Sequence, residues 1–337
     1  MAEKYDVARP YKRIGVIGAG AWGTALALIA ARAGRAVTLW ARESEVVVSI
    51  ARTQQNAPFL PGIALPPSIT ATDELAAAVQ AEALLVAAPA QHLRTSLSAI
   101  AAEAPKGIPL VLCAKGFERD SGKLLTEVLR ETAPGFEPAI LSGPSFARDA
   151  AQGLPTAVTI AARLPVARRL QASLSHATFR PYASDDILGV ALGGAAKNVY
   201  AIACGIVDGM GLGESARAAL LARGFAELRR LGEALGAHSE TLMGLSGLGD
   251  LVLTATSPQS RNYRFGHEIG KGRTPKELAA PGQPLAEGVA TAPALVIRAR
   301  KEKIELPVAE TVAHVLDGTL PLDAAVLRLM SRPLKPE

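Results

Sequence analysis

The chain has 337 residues, enough for two domains of ordinary size, and 49% of them are hydrophobic, so a sizeable core can form. The net charge of +5 suits anionic small molecules, and no dense basic stripe argues for nucleic acid. The two cysteines, Cys113 and Cys204, offer neither a disulfide framework nor a metal-ligand spacing, and no uninterrupted apolar stretch is long enough for a bilayer span.

Residues 1–11 are polar and read as a loose extension with no signal peptide before the first strand. Arg13–Ile17 then reads as a buried strand, followed by a turn with Gly18, Gly20 and Gly23 in G-x-G-x-x-G spacing. In such a turn Gly18 allows the tight bend, Gly20 lets the backbone approach a pyrophosphate, and Gly23 lets the following helix pack on the strand. The helix N-terminus offers free N–H groups and partial positive charge to phosphates. The helix runs through Ala25–Ala33 to Gly34, and Ala36–Trp40 is the second strand. A helix over Val46–Ala51 follows, then a proline-broken loop from Pro58 to Pro67. Strands are expected at Ala83–Ala88, Pro109–Ala114 and Ala139–Leu141. Thr156–Ala161 and Ala177–Tyr182 are expected as edge strands flanking a helix over Val166–Leu174. From Asp185 onward Ala/Leu/Gly helical patterns replace β-branched runs. The fold class is therefore α/β plus all-α: an N-terminal Rossmann-type doubly wound sheet over 1–183 and a C-terminal helical domain over 184–337. Gly193-Gly194-Ala195-Ala196 predicts close helix packing, and the paired arginines Arg168-Arg169 and Arg229-Arg230 read as solvated faces.

The end of the second strand bears on the cofactor. Arg42, first after the strand, suits the 2′-phosphate of NADP, whereas Glu43 stands near the offset of an acid that binds the ribose of NAD, so the local signal is mixed. Lys115 and the Ser142-Gly143-Pro144-Ser145 turn follow parallel strands, at the rim where open α/β sheets bind ligands. Lys197 interrupts a small apolar segment, where a charge is costly unless paired or functional. Asp250 places a carboxylate in another apolar run. Ser260-Arg261-Asn262 opens an amphipathic segment, a suitable arrangement for an anion. Glu287 read alone is a surface acid. The five histidines are scattered, with no metal cluster or nucleophile pairing expected.

Taken together, the segments Gly18–Ala27, Asn56–Gly62, Ala114–Gly116, Ser142–Ala147, Gly193–Val199, Gly247–Leu251, Gln259–Asn262 and Glu287–Gly288 resemble the bacterial NAD(P)-dependent glycerol-3-phosphate dehydrogenases, in order and over almost the whole chain. The resemblance implies that Gly20, Ala21, Trp22, Arg42 and Ala147 hold the dinucleotide, with Arg261, Leu285 and Glu287 closing over it. It implies that Lys115 touches cofactor and substrate. Gly143, Ser145, Asp250, Thr254, Ser260, Arg261 and Asn262 would line the substrate site. Lys197 would be the proton donor and acceptor, with Asp250 orienting it as the second catalytic residue. Leu285 stands where the family usually has a β-branched residue.

The implied reaction is reversible reduction of dihydroxyacetone phosphate, a small phosphorylated three-carbon substrate, to sn-glycerol 3-phosphate. NADP or NAD would serve, with NADPH favoured by Arg42, and the product would feed phospholipid synthesis in the cytoplasm. A homodimer is kept as an expectation. A β-hydroxyacid dehydrogenase of the 6-phosphogluconate type is the enzyme alternative. It shares the Gly193/Lys197 spacing but usually has an asparagine four residues after the lysine, where this chain has Ala201. A non-catalytic NADP-sensing regulator is the alternative from another class, and it need not keep Lys115, Lys197, Asp250 and Arg261 together.

Overall fold

Among the described residues, eight short strands line up in one sheet: β1 (Arg13–Ile17), β2 (Ala36–Trp40), β3 (Ile69–Thr72), β4 (Ala83–Val86), β5 (Pro109–Leu112), β6 (Glu137–Ser142), β7 (Thr156–Ala161) and β8 (Phe179–Ser184). The computed structural model describes residues 8–280 and 286–331. The spatial order is β3-β2-β1-β4-β5-β6-β7-β8, and every neighbouring pair is parallel except β6–β7. Parallel strands buried on both faces should be apolar throughout. β4 (ALLV) and β5 (PLVL) are buried at every position. The order reverses between β1 and β4, and a doubly wound sheet binds its ligand at the carboxyl ends of the strands beside such a switch point.

The chain divides into two compact units: residues 1–114 with 125–190, and residues 115–124 with 191–337. The expected division at 183/184 is thus corrected twice. The boundary falls at Val190, inside the helix Ile187–Gly209, and Lys115–Leu124 belongs to the helical unit. That short segment is fastened there by side chains: Lys115 bonds Asp250, Lys301 Nζ donates to the Ser121 carbonyl at 3.0 Å, and a Cβ on Gly122 would stand 3.0 Å from Ile297.

Three smaller expectations also change. Tyr11 is not part of a loose extension. It is buried, its N–H donates to Ser173 Oγ at 2.8 Å, and the Arg169 guanidinium lies 3.8 Å from its ring centroid. Arg169 is therefore a cover for an aromatic ring, while Arg168 faces solvent. Finally, of the two strands expected at the edge, only β8 lies there. β7 lies inside the sheet because it pairs with both β6 and β8.

The second unit is helical. Its long helix Ile187–Gly209 is apolar and long enough, on length and composition, to cross a bilayer, but its apolar window is wholly buried in protein. Close backbone contact explains why small residues dominate. A Cβ on Gly205 would lie 2.1 Å from the Tyr263 carbonyl oxygen, and one on Gly266 would lie 2.0 Å from that of Ile202. Only glycine lets the helices Ile187–Gly209 and Arg261–Gly270 approach this closely. Gly193 likewise abuts Ser246, a Cβ there falling 2.6 Å from the Ser246 carbonyl oxygen, as the small-residue run predicts. Buried Glu227 ties the helix Pro307–Leu316 to this core by accepting the N–H groups of Val308 and Ala309, and burial pushes its carboxyl up to about 7. Both cysteines are buried and outside any disulfide, as expected of small hydrophobic residues.

Candidate active site

In the first unit the glycine turn joins β1 to the helix Ala21–Arg32. Gly18 has φ +108°, a left-handed conformation that favours glycine, and its N–H donates to the Trp40 carbonyl at 3.0 Å. A Cβ on Gly23 would fall 1.7 Å from the Gly18 carbonyl oxygen, so the helix can start this close to the strand only without a side chain there. A Cβ on Gly20 would meet nothing within 4 Å, and no side chain caps the helix. An approachable backbone before an uncapped helix N-terminus is what a pyrophosphate requires, so the residues present fit a dinucleotide. Ala21 opens that helix. Trp22, its second residue, packs on the core with a buried indole N–H that has no protein partner.

Arg42 and Glu43 lie just past β2. The Arg42 guanidinium is three-quarters exposed and bonded to Glu43 Oε1 at 2.6 and 3.0 Å, so the two competing cofactor signals are paired with each other. Gly143 and Ser145 follow β6, with Ser145 Oγ donating to the Gly143 carbonyl at 3.1 Å. Ala147 begins the helix Ala147–Gln152 and packs against the same core as the glycine turn. Leu285 lies outside the described residues.

The second unit gathers the charged candidates. Lys197, near the middle of Ile187–Gly209, is buried, and its ammonium donates to Asp250 Oδ1 and, at 2.8 Å, to Thr254 Oγ1. Lys115 Nζ donates to the other oxygen, Asp250 Oδ2, at 2.6 Å. Asp250 is fully buried and starts the helix Asp250–Thr256 directly after a π-helical turn, Leu245–Gly249. One turn on, Thr254 faces the same lysine. One carboxylate thus holds two ammonium groups. Burial brings Lys197 down from the usual lysine range to about 7. Asp250 opposes that fall and neighbouring Lys115 adds to it.

The anion-binding candidates stand beside this clamp. Ser260 is the N-cap of Arg261–Gly270, its hydroxyl accepting the Tyr263 N–H at 3.2 Å, so Ser260 serves the helix itself as well as standing at its mouth. Arg261 is the first helical residue. Asn262 is largely committed inside the protein: its Nδ2 donates to Asn198 Oδ1 and its Oδ1 accepts the Gly288 N–H, both at 2.9 Å. This bridge ties the start of one helix to the residue next to Lys197 and to the start of Glu287–Lys301. The Glu287 carboxyl is held above its ordinary value by burial, against the pull of Arg261, Lys197 and Lys115.

The structure therefore joins Lys115, Lys197, Asp250 and Thr254 by direct bonds and places Ser260, Arg261, Asn262 and Glu287 around them. Asn198 and Gly288 complete the bridge. Both stood in the recognised segments, but nothing local in the sequence pairs residues 64 and 26 positions from Asn262. Among the described residues no group of three His, Cys, Asp or Glu side chains could hold a metal ion.

Residues 13–166 match the family model described as the NAD-dependent glycerol-3-phosphate dehydrogenase N-terminus, and residues 186–327 match the corresponding C-terminus. A glycerol-3-phosphate dehydrogenase, NAD(P)+, of Parvibaculum lavamentivorans is 55% identical over 97% of this chain and 98% of its own length. The Caulobacter vibrioides protein of the same name is 54% identical over 97% and 99%. The crystal structure of glycerol-3-phosphate dehydrogenase from Coxiella burnetii superposes with a TM-score of 0.90 at 37% identity, covering 95% of this chain and 99% of that one. With both halves of the family model matched in order, the chain belongs to the NAD-dependent glycerol-3-phosphate dehydrogenase family.

Proposed function

We propose that the chain is an NAD(P)-dependent oxidoreductase that interconverts dihydroxyacetone phosphate and sn-glycerol 3-phosphate. The first unit is read as the dinucleotide-binding part and the second as the substrate-binding part. The observation that carries the chemistry is the Asp250 carboxylate holding Lys197 and Lys115 in a nearly dry setting.

When bound, the nicotinamide supplies or accepts the hydride at the carbinol carbon. The rest falls to the chain. Gly18, Gly20, Ala21, Trp22 and Gly23 would hold the pyrophosphate end, Arg42 the adenosine ribose or its 2′-phosphate, and Ala147 and Glu287 further parts of the dinucleotide. The Lys197 ammonium gives its proton to the ketone oxygen as that oxygen gains charge, and in reverse the neutral amine takes the proton from the hydroxyl. A lysine near neutrality does both at physiological pH. Asp250 aims the ammonium and stabilises its charge, while Thr254 restricts where the amine turns. Lys115, held by the same carboxylate, offers a second cation to the oxyanion or the cofactor. Arg261 and the N–H groups opening its helix would take the phosphate, with Ser260 and Asn262 fixing that helix start and Gly143 and Ser145 lining the remainder. Phosphate is remote from the reacting carbonyl, so its binding energy serves to orient the ketone.

Reduction to glycerol phosphate for phospholipid synthesis, in the cytoplasm, is the proposed direction and place. Steady-state kinetics with dihydroxyacetone phosphate and each reduced cofactor, followed by nicotinamide absorbance, test the activity. Saturable oxidation dependent on both substrates is expected. No turnover with either cofactor would overturn it.

A further inference from the structure

The segment Asn56–Gly62 stood out in the sequence, yet no step above uses it. Asn56 opens it and is fully buried. Its side chain has two N–H donors and one carbonyl, and all three are engaged. Nδ2 donates to the Ala19 carbonyl and to Thr24 Oγ1, both at 2.7 Å, while Oδ1 accepts the Phe59 N–H at 3.4 Å. The backbone carrying Asn56 is fastened independently. Leu60 N–H donates to the Asn56 carbonyl, Leu65 N–H donates to the Gln54 carbonyl, and Gln55 bridges to Ala64. Asn56 is thus a fixed post, and what it holds is the residue between Gly18 and Gly20.

A trans peptide is planar, with its C=O and N–H pointing in opposite directions. Once Asn56 holds the Ala19 carbonyl inward, the N–H of Gly20 must face the other way, off the protein side of the turn. Gly20 is also the glycine whose missing side chain borders open space. Thr24, in the first turn of the helix, is drawn into the same bond set and its N–H donates to the Gly20 carbonyl at 2.9 Å. The Ala19–Gly20 peptide is therefore pinned from behind. Resting on the dinucleotide reading of this turn, we infer that Asn56 is a positioning residue for the cofactor, holding the Ala19–Gly20 peptide so that the Gly20 N–H faces the pyrophosphate.

Because both cofactors share the pyrophosphate, the effect must be blind to the 2′ position. Asn56→Ala should raise Kd for NADH and NADPH together by about tenfold, the worth of one or two neutral hydrogen bonds. At saturating cofactor, kcat and the KM for dihydroxyacetone phosphate should stay within about twofold, because neither depends on this peptide once the dinucleotide is bound. Thr24→Val removes the threonine hydroxyl's own longer bond to the Ala19 carbonyl, at 3.4 Å, but leaves the 2.7 Å bond from Asn56, so it should raise both Kd values less and keeps the test open if the alanine variant folds poorly. Titration of wild type and both variants with NADH and NADPH, alongside thermal unfolding without cofactor, separates the outcomes. Binding by wild type with unchanged Kd in the variants, even with a lowered Tm, would reduce Asn56 to a structural residue and overturn the inference. Failure of wild type to bind either cofactor would overturn the dinucleotide reading, and this inference with it.

Discussion

The glycine turn of the first unit and the Asp250 clamp of the second prepare for charge by different means. The turn offers main-chain N–H groups at an uncapped helix start and contributes no ionisable group from Gly18 to Gly23. The clamp sets one carboxylate between two ammonium groups, with Asp250 fully buried and Lys197 nearly so. A backbone site keeps its donors at any pH and loses function mainly when its geometry loosens. A buried charged site is sensitive both to pH and to the loss of any one member, because an unpaired charge left behind is costly. The contrast explains why the candidate site of the first unit is built on glycine backbone and that of the second on charged side chains.

The largest effect should come from deleting the proposed proton donor. Lys197→Met is expected to lower kcat by about 10²–10⁴-fold or more, with the Kd for NADPH nearly unchanged. Near-normal turnover would remove the clamp from the chemistry. Next in size is Arg261→Ala. Losing one partner of a desolvated ionic contact costs roughly 2–5 kcal/mol, so kcat/KM for dihydroxyacetone phosphate should fall steeply. Unphosphorylated dihydroxyacetone, poor with either enzyme, should lose far less. Equal loss with both ketones would reassign Arg261 to the cofactor alone.

The helix pair that carries these residues can be perturbed from outside the site. Gly266→Ala sets a methyl group against the Ile202 carbonyl and should destabilise the chain by about 1–3 kcal/mol, read as a lowered Tm. An unchanged Tm would mean that the close approach of the two helices is not needed. The smallest effect belongs to the exposed Arg42. Its bond to Glu43 and its solvent exposure limit its contribution to about 1 kcal/mol. Arg42→Ala should therefore raise the KM for NADPH about fivefold and leave that for NADH almost unmoved. Equal changes would show that Arg42 does not read the 2′ position.

The same contrast governs what the sequence made legible. The turn is contiguous, so strand, glycines and helix could be read in one pass, and β2 and β7 lie where their β-branched runs and flanking Gly34 and Pro155 place them. β3 was hidden because Ile69–Thr72 is only four residues long and follows the proline-rich loop. The residue types of the clamp were legible, and their family resemblance assigned roles, but their bonds were not. Asp250 lies 135 positions from Lys115 and 53 from Lys197, and no periodicity encodes that meeting. For the same reason Lys115–Leu124 read as part of the sheet domain, since it directly follows β5, although its side chains fasten it to the helical unit. Ser260 and Asn262 read as ligands by type, whereas the structure also gives them work inside the protein: one caps a helix and the other bridges Asn198 to Gly288.

The most direct test of the lysine clamp is the pH dependence of kcat/KM, which reports the groups of the free enzyme, in both directions on the wild-type protein. On the proposed mechanism, reduction needs the Lys197 ammonium as acid, and oxidation needs the neutral amine as base. With Lys197 brought down to about 7, the reduction rate should fall as pH rises through that value, and the oxidation rate should fall as pH drops through it. Mirror-image profiles crossing near neutrality are the predicted result. Profiles that are flat through neutrality in both directions, or that move the same way, would contradict the assignment of Lys197 as the group that carries the proton.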